Sequence, residues 1–189
     1  MPGSLSIIDI LFLITVALLV FNGFTNGAVT SLVNLISLPV GFAVAYFFGP
    51  RFTVLLAANG LPATPLISYI ILFFGTVFLL HIVGTTVRGV VTKVPLVGIG
   101  DRLLGAFVGF IEAWLLWVIL LFILGNFLHS VQDTLTSGSQ IVPGLNIRVD
   151  QLKNWHDFYN TAVTNSLFAK VNGLFVQVLP SIQAKLPKS

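Results

Sequence analysis

Five side chains at the edges of, or inside, long apolar stretches could carry chemistry: Asp9, His81, Asp101, Arg102 and Glu112. Glu112 is the most demanding. It stands in "GAFVGFIEAWLLWVILLFIL", eleven residues after Asp101, or about 16 Å along a helix. A carboxylate that deep in apolar surroundings either carries a proton or finds a donor. Its helical neighbours three and four residues away, Val108, Gly109, Leu115 and Leu116, offer none. The donor must come from another helix or from water, and His81 is the best-placed candidate; Asp9, near the opposite face, matches less well. Two readings fit these groups. One is a structural polar clasp between helices; the other is a proton or ion pathway through Glu112 and His81. Asp101 follows Gly100 at a helix start, where a carboxylate accepts orphan backbone N–H bonds and complements the positive end of the helix dipole. Arg102 beside it can reach lipid phosphate or water. The functional alternative for this pair is an ion pair gating an entrance. Asp9, one turn into the first helix, is served by the same dipole.

Other chemistry is absent from the sequence. There is no cysteine, so no disulfide, thiolate ligand or thiol nucleophile. His129 and His156 lack metal-ligand company, and Asp133, Asp150 and Asp157 are too scattered for a calcium loop. Gly98-Ile-Gly100 lacks the third glycine of a dinucleotide loop, and no phosphate loop, H-E-x-x-H or G-x-S-x-G is present. The expectation is a protein that is not an enzyme and takes no cofactor or metal. The net charge of +3 is thinly spread and forms no nucleic-acid-binding patch.

The elements that must position these residues follow from composition. Of 189 residues, 56% are hydrophobic and 8% charged. About a quarter of an ordinary soluble domain is charged, so this chain lacks the polar skin that water demands. Four windows are long enough to cross a bilayer: Leu5 to Phe21, Ala28 to Phe48, Leu66 to Val87, and Asp101 to Leu128. They lack barrel-type alternation and must be helices, because backbone groups in hydrocarbon need internal partners. The first window has no preceding Lys or Arg and no A-x-A-like site after it, so it reads as a retained span. Asn22 to Gly27 is a tight turn, and Phe52 to Ala58 a candidate interfacial helix. Arg88, Lys93 and Arg102 surround the third connection, whereas the first has no cation and the second only Arg51. The positive-inside rule then puts both termini outside, with Tyr46 and Tyr69 in an outer aromatic belt.

Small residues mark docking faces. Gly105, Gly109 and Ala113 form one ridge, and Ser37, Gly41, Ala45 and Gly49 another. In lipid such ridges let helix backbones approach closely, and the two are expected to pair, within one chain or between copies. Pro39 is expected to kink the second span. After Ser130 the chain turns polar. Apolar residues then recur from Trp155 to Leu179 at three-four spacing, predicting an amphipathic helix started by Asp150 and ended or kinked at Pro180. It either lies on the membrane surface or packs on a second tail. The expected protein is therefore all-α. Residues 1–128 form a four-span membrane domain, and residues 129–189 an extracytoplasmic linker and amphipathic tail. The bilayer is its solvent, and a homo-oligomer is expected.

The run Asp101-Arg102-Leu103-Leu104-Gly105, with Gly109 after it, resembles the CvpA family, the colicin V production proteins of bacterial inner membranes. Asp9, the glycine-bearing turn at Gly23 and Gly27, and the four spans agree with it. The resemblance covers roughly residues 5–128. Asn22 and Asn26 stand where the family usually carries arginines, and Glu112-Ala113 where it carries a basic residue and a glycine. The resemblance implies a protein of the bacterial cytoplasmic membrane linked to toxin or bacteriocin production or export and to envelope function, with envelope or export proteins as partners.

Overall fold

The structure, a computed structural model, describes residues 6–61, 64–91, 99–136 and 149–175; the side chains of 85–91, 133–136 and 149–151 are outside that description. Among the described residues there are six helices and no strand: α1 (Ile7–Asn26), α2 (Ala28–Ala58), α3 (Pro65–Val91), α4 (Ile99–Thr136), α5 (Val149–Thr164) and α6 (Leu167–Phe175). The first four are long and apolar enough to cross a membrane. Their outer faces carry exposed Ile14, Leu18 and Phe21 on α1, and Phe78, Leu79 and Val83 on α3. On a soluble protein such a surface would be an aggregation hazard; on a membrane span it is the lipid-facing wall.

α1 starts with a reciprocal cap. Ser6 Oγ accepts from the Ile8 N–H, and Asp9 Oδ2 accepts from the Ser6 N–H at 3.0 Å. The helix runs to Asn26, past the expected turn, and the joint with α2 is the single residue Gly27 at φ +81° and ψ 171°. That backbone region is essentially restricted to glycine. α2 runs through both Pro39 and Pro50 without breaking. The separate interfacial helix expected at Phe52 to Ala58 is therefore the last turns of α2. Each proline removes one helical donor, and Thr53 Oγ1 binds locally, donating to Gly49 O at 2.9 Å.

Two pairs of helices dominate the packing, α1 with α4 and α2 with α3, and α2 also lies along α4. α1 and α4 are antiparallel: Gly23 meets Gly105, Leu19 meets Gly109, and Phe12 meets Trp117. One apolar core gathers Ile8, Phe12, Trp117, Leu121, Leu128 and Phe168. A second gathers Leu38, Ala45, Phe73, Ile119 and Ile123 between α2, α3 and α4.

The C-terminal region departs most from expectation. α4 continues through the expected boundary at 128 to Thr136. The single amphipathic helix is broken at Asn165–Ser166 into α5 and α6, and the expected stop at Pro180 lies outside the described residues. The described part of this tail does not lie apart from the spans. Leu152, Tyr159 and Ala162 of α5 join the core around Phe127, Leu128 and Val131, and Tyr159 covers Gly125. α6 begins where Asp9 Oδ1 accepts the Leu167 N–H at 2.7 Å. It then runs antiparallel along α4: Phe168 packs on Phe12 and Trp117, Asn172 accepts from Trp114 Nε1 at 3.3 Å, and Phe175 reaches Trp114 and Phe110. Phe110 follows Gly109, which abuts Leu19. α6 thus descends alongside α1 past the middle of that span. The aromatic stripe on α4 draws it there, because an aromatic pair gains about 0.5–1.5 kcal/mol beyond its area.

Asp9 therefore serves two helix starts at once. Asp9→Ala should cost about 1 kcal/mol of capping and loosen α6 before α1. Hydrogen exchange would check it: the 167–175 amides speed up while 10–22 stay protected.

Candidate functional site

The charged and polar side chains of the spans gather at three places, each built by a different helix end or crossing. The first is the joint between the α1–α2 hairpin and the start of α4. A helix start leaves backbone N–H groups without intrahelical partners, and Gly27, which precedes α2, has no side chain to cap it. Asp101 supplies the acceptor from another helix: the Ala28 N–H donates to Asp101 Oδ1 at 3.0 Å. The carboxylate fits because Gly27 lacks a Cβ; one built there would fall on Asp101 Oδ2. Asp101 was expected to cap α4, its own helix. It lies in the first turn of α4 but caps α2 instead, because the hairpin brings a bare helix start against it. Among the described residues Asp101 and Arg102 form no ion pair. Arg102 turns outward, with its guanidinium 6.0 Å from the centroid of the Phe24 ring.

The second place is the helix crossing above that joint. A Cβ on Gly105 would fall on Gly23 O, one on Gly23 would fall on Gly105 O, and one on Gly109 would fall on Leu19 O. Ala113, one turn on, is fully buried. The Gly105–Gly109–Ala113 ridge therefore docks on α1, against the backbone of Leu19 to Gly27. The ridge on α2 docks elsewhere: Gly41 meets Phe73 and Val77, and Gly49 meets the Tyr69 ring, all on α3. Ala45 is buried in the second core. The expected pairing of the two ridges with each other is thus corrected. Spacing marks a smooth face but does not name its partner, and the short hairpin delivers α1 to α4 first.

The third place is the polar interior. Ser31, Asn34 and Ser37 of α2 are buried. The serine hydroxyls donate to Gly27 O and Asn34 O. His81 of α3 is exposed, and its Nδ1 lies 3.0 Å from Asn34 Oδ1. His81 therefore pairs with Asn34 and not with Glu112, which corrects the expected clasp. The reason is geometric: His81 lies on the helix that α2 holds closest, while α3 makes only slight contact with α4. Glu112 is 7% exposed and has no hydrogen-bond or ion-pair partner among the described residues. It sits three residues after Gly109, which faces α1, and seven before Ile119, which shares the second core with Leu38 and Ala45 of α2. That register aims it into the junction of α1, α2 and α4.

Sequence reasoning missed Asn34, Gly23 and Trp114 as joint-makers. Gly23 and Gly27 are four apart, as Gly105 and Gly109 are, and that matching spacing was the available signal. Asn34 is a lone amide in an apolar window, which in a membrane asks for a partner. Trp114 carried no signal that set it apart from its aromatic neighbours.

The joint, the crossing and the four spans bear on kinship. The family model for colicin V production protein matches residues 8–150, which takes in α1 to α4 and every residue of the three places just described. The chain belongs to that family. As a family member it is a multi-pass membrane protein of the colicin V production type. Its match ends at the start of α5, so the docked helices α5 and α6 lie almost wholly beyond the family region. No curated protein and no solved structure matches the chain.

Proposed function

We propose that the protein is a non-enzymatic accessory protein of the bacterial cytoplasmic membrane that supports production or export of a toxin and maintains the envelope. In this reading both termini lie outside, and the protein works by lateral contact with envelope or export proteins and with further copies of itself. One observation carries it. The polar groups the sequence offered for chemistry, apart from Glu112 and the outward-turned Arg102, are engaged in holding helices together: Asp9 at α1 and α6, Asp101 at α2, and His81 at Asn34. The small-residue ridges are spent inside the chain, which leaves the exposed apolar wall of α3 for contact between molecules. The test is complementation in a toxin-producing host that lacks the protein. Wild type restores secreted toxin and Gly105→Leu does not; equal restoration by both would reject a role for the assembled bundle.

A second reading, an oligomeric channel or transporter, is favoured by Glu112, a buried acid with no partner of its own. It no longer includes His81 as the partner of that acid. Ion flux into liposomes that differs between wild type and Glu112→Gln supports this reading, and no flux from either removes it.

A further inference from the structure

We infer that Glu112 is a proton-binding site inside the membrane, at the junction of α1, α2 and α4, that loads and unloads a proton through the hydroxyl-lined face of α2. The first support is isolation. Glu112 is 7% exposed, and no donor meets its carboxyl group among the described residues. In hydrocarbon an ionised carboxylate without a counter-charge is strongly disfavoured, so the site calls for a cation.

Among the described residues no charged side chain on the helices packed against α4 pairs with Glu112. On α1 the titratable group is Asp9, engaged at the far end. On α2 they are Tyr46 and Arg51, both beyond Pro39 toward that same end. On α3 they are Tyr69, which covers Gly49, His81, which binds Asn34, and Arg88, seven residues beyond His81, whose side chain is outside the described residues. On α4 itself Asp101 caps α2, Arg102 lies over Phe24, and His129 is at the opposite end. α5 carries Lys153, His156, Asp157 and Tyr159 beside the far half of α4, and α6 carries Lys170 near the level of Trp114 and Trp117 but exposed; the side chains of Asp133 and Asp150 are outside the described residues.

The second support is the donor set. A metal cation such as calcium or magnesium takes about six or more oxygen ligands. Among the described residues no group of three His, Cys, Asp or Glu side chains comes together. A single carboxyl fits a proton. The third is a way in. Thr30, Ser31, Asn34 and Ser37 are all buried on α2, and they lead from the Gly27 joint to the depth of Glu112. Interpolating between the Asp101–Ala28 bond and the Phe122–Phe42 ring contact places Glu112 beside the turn that holds Asn34.

The inference needs no net transport, so it can hold or fail independently of either functional reading. Glu112 is the only glutamate in the sequence, which makes the test specific. Full-length protein labelled with glutamate bearing carbon-13 at its side-chain carboxyl, in lipid vesicles, gives one titrating carboxyl resonance. Glu112→Gln assigns it by removing it. The expected result is a single pH titration whose midpoint differs from that of free glutamate and does not move with sodium, potassium or magnesium at constant pH. A resonance that ignores pH, one that follows free glutamate, or one displaced by a metal cation would each overturn the inference.

Discussion

Gly105→Leu separates α1 from α4. Atoms of Gly23, Gly27 and Ala28 stand where the new side chain must go, and all of them are backbone. A side-chain wall could rotate away; a helix backbone can yield only by moving the whole helix. Overpacking typically costs about 1–3 kcal/mol, and this site should fall at or above the top of that range. The contact cannot be recovered by hydrophobic exclusion, because lipid is as apolar as the helix face. Gly75→Leu is the matched control: nothing lies within 4 Å of a Cβ there, so it should leave stability unchanged. Reversible unfolding in mixed micelles would read the difference. Equal stability of the two variants would mean that the crossing is not held by glycine contact.

Asp101→Ala frees the start of α2. The Ala28 N–H loses its acceptor, at a cost of about 1–2 kcal/mol, and the hairpin loses its bond to α4. Asp101→Asn keeps a carbonyl acceptor and should recover most of the loss. Gly27→Ala attacks the same joint from the other side. It adds a Cβ at a backbone conformation costing of order 1–3 kcal/mol for other residues, and that Cβ collides with the Asp101 carboxylate. The two substitutions together should therefore be less damaging than the sum of each alone, since Asp101→Ala clears the collision and leaves only the backbone strain. Exchange of the amides from 28 to 31 would measure both effects. Strict additivity would show that Asp101 and Gly27 do not share a joint.

The spans were legible because length and apolarity alone decide what crosses a bilayer. The docking faces were legible too, as glycine and alanine at four-residue spacing. Their partners were not. Gly109 finds Leu19 and Gly41 finds Phe73 because of how the hairpin folds back, and spacing within one helix carries no record of that. The caps failed for the same reason. Asp9 and Asp101 both stand in a first helical turn, yet Asp9 also serves α6, 158 residues away in sequence, and Asp101 serves α2, 73 residues away, in place of its own helix. Phe52 to Ala58 read as a separate helix, yet α2 runs on into it although Pro50 removes a helical bond; neighbouring α3, with Ser68 bonded to Thr53, keeps the helix whole. The amphipathic tail was legible as a helix with an apolar face. Its descent along Trp117, Trp114 and Phe110 depends on an aromatic stripe that, in sequence, looks like any other apolar run.

The fold has four crossings, with α6 starting at the end where α1 begins. The chain has no cysteine, so single cysteines can be placed one at a time at Thr25, Ile99, Asn59 and Asn165, all exposed. A membrane-impermeant maleimide applied to sealed vesicles from one side should label Thr25→Cys and Ile99→Cys together, and Asn59→Cys and Asn165→Cys only from the other side. Labelling of Thr25→Cys and Asn165→Cys from the same side would contradict the fold and everything built on it.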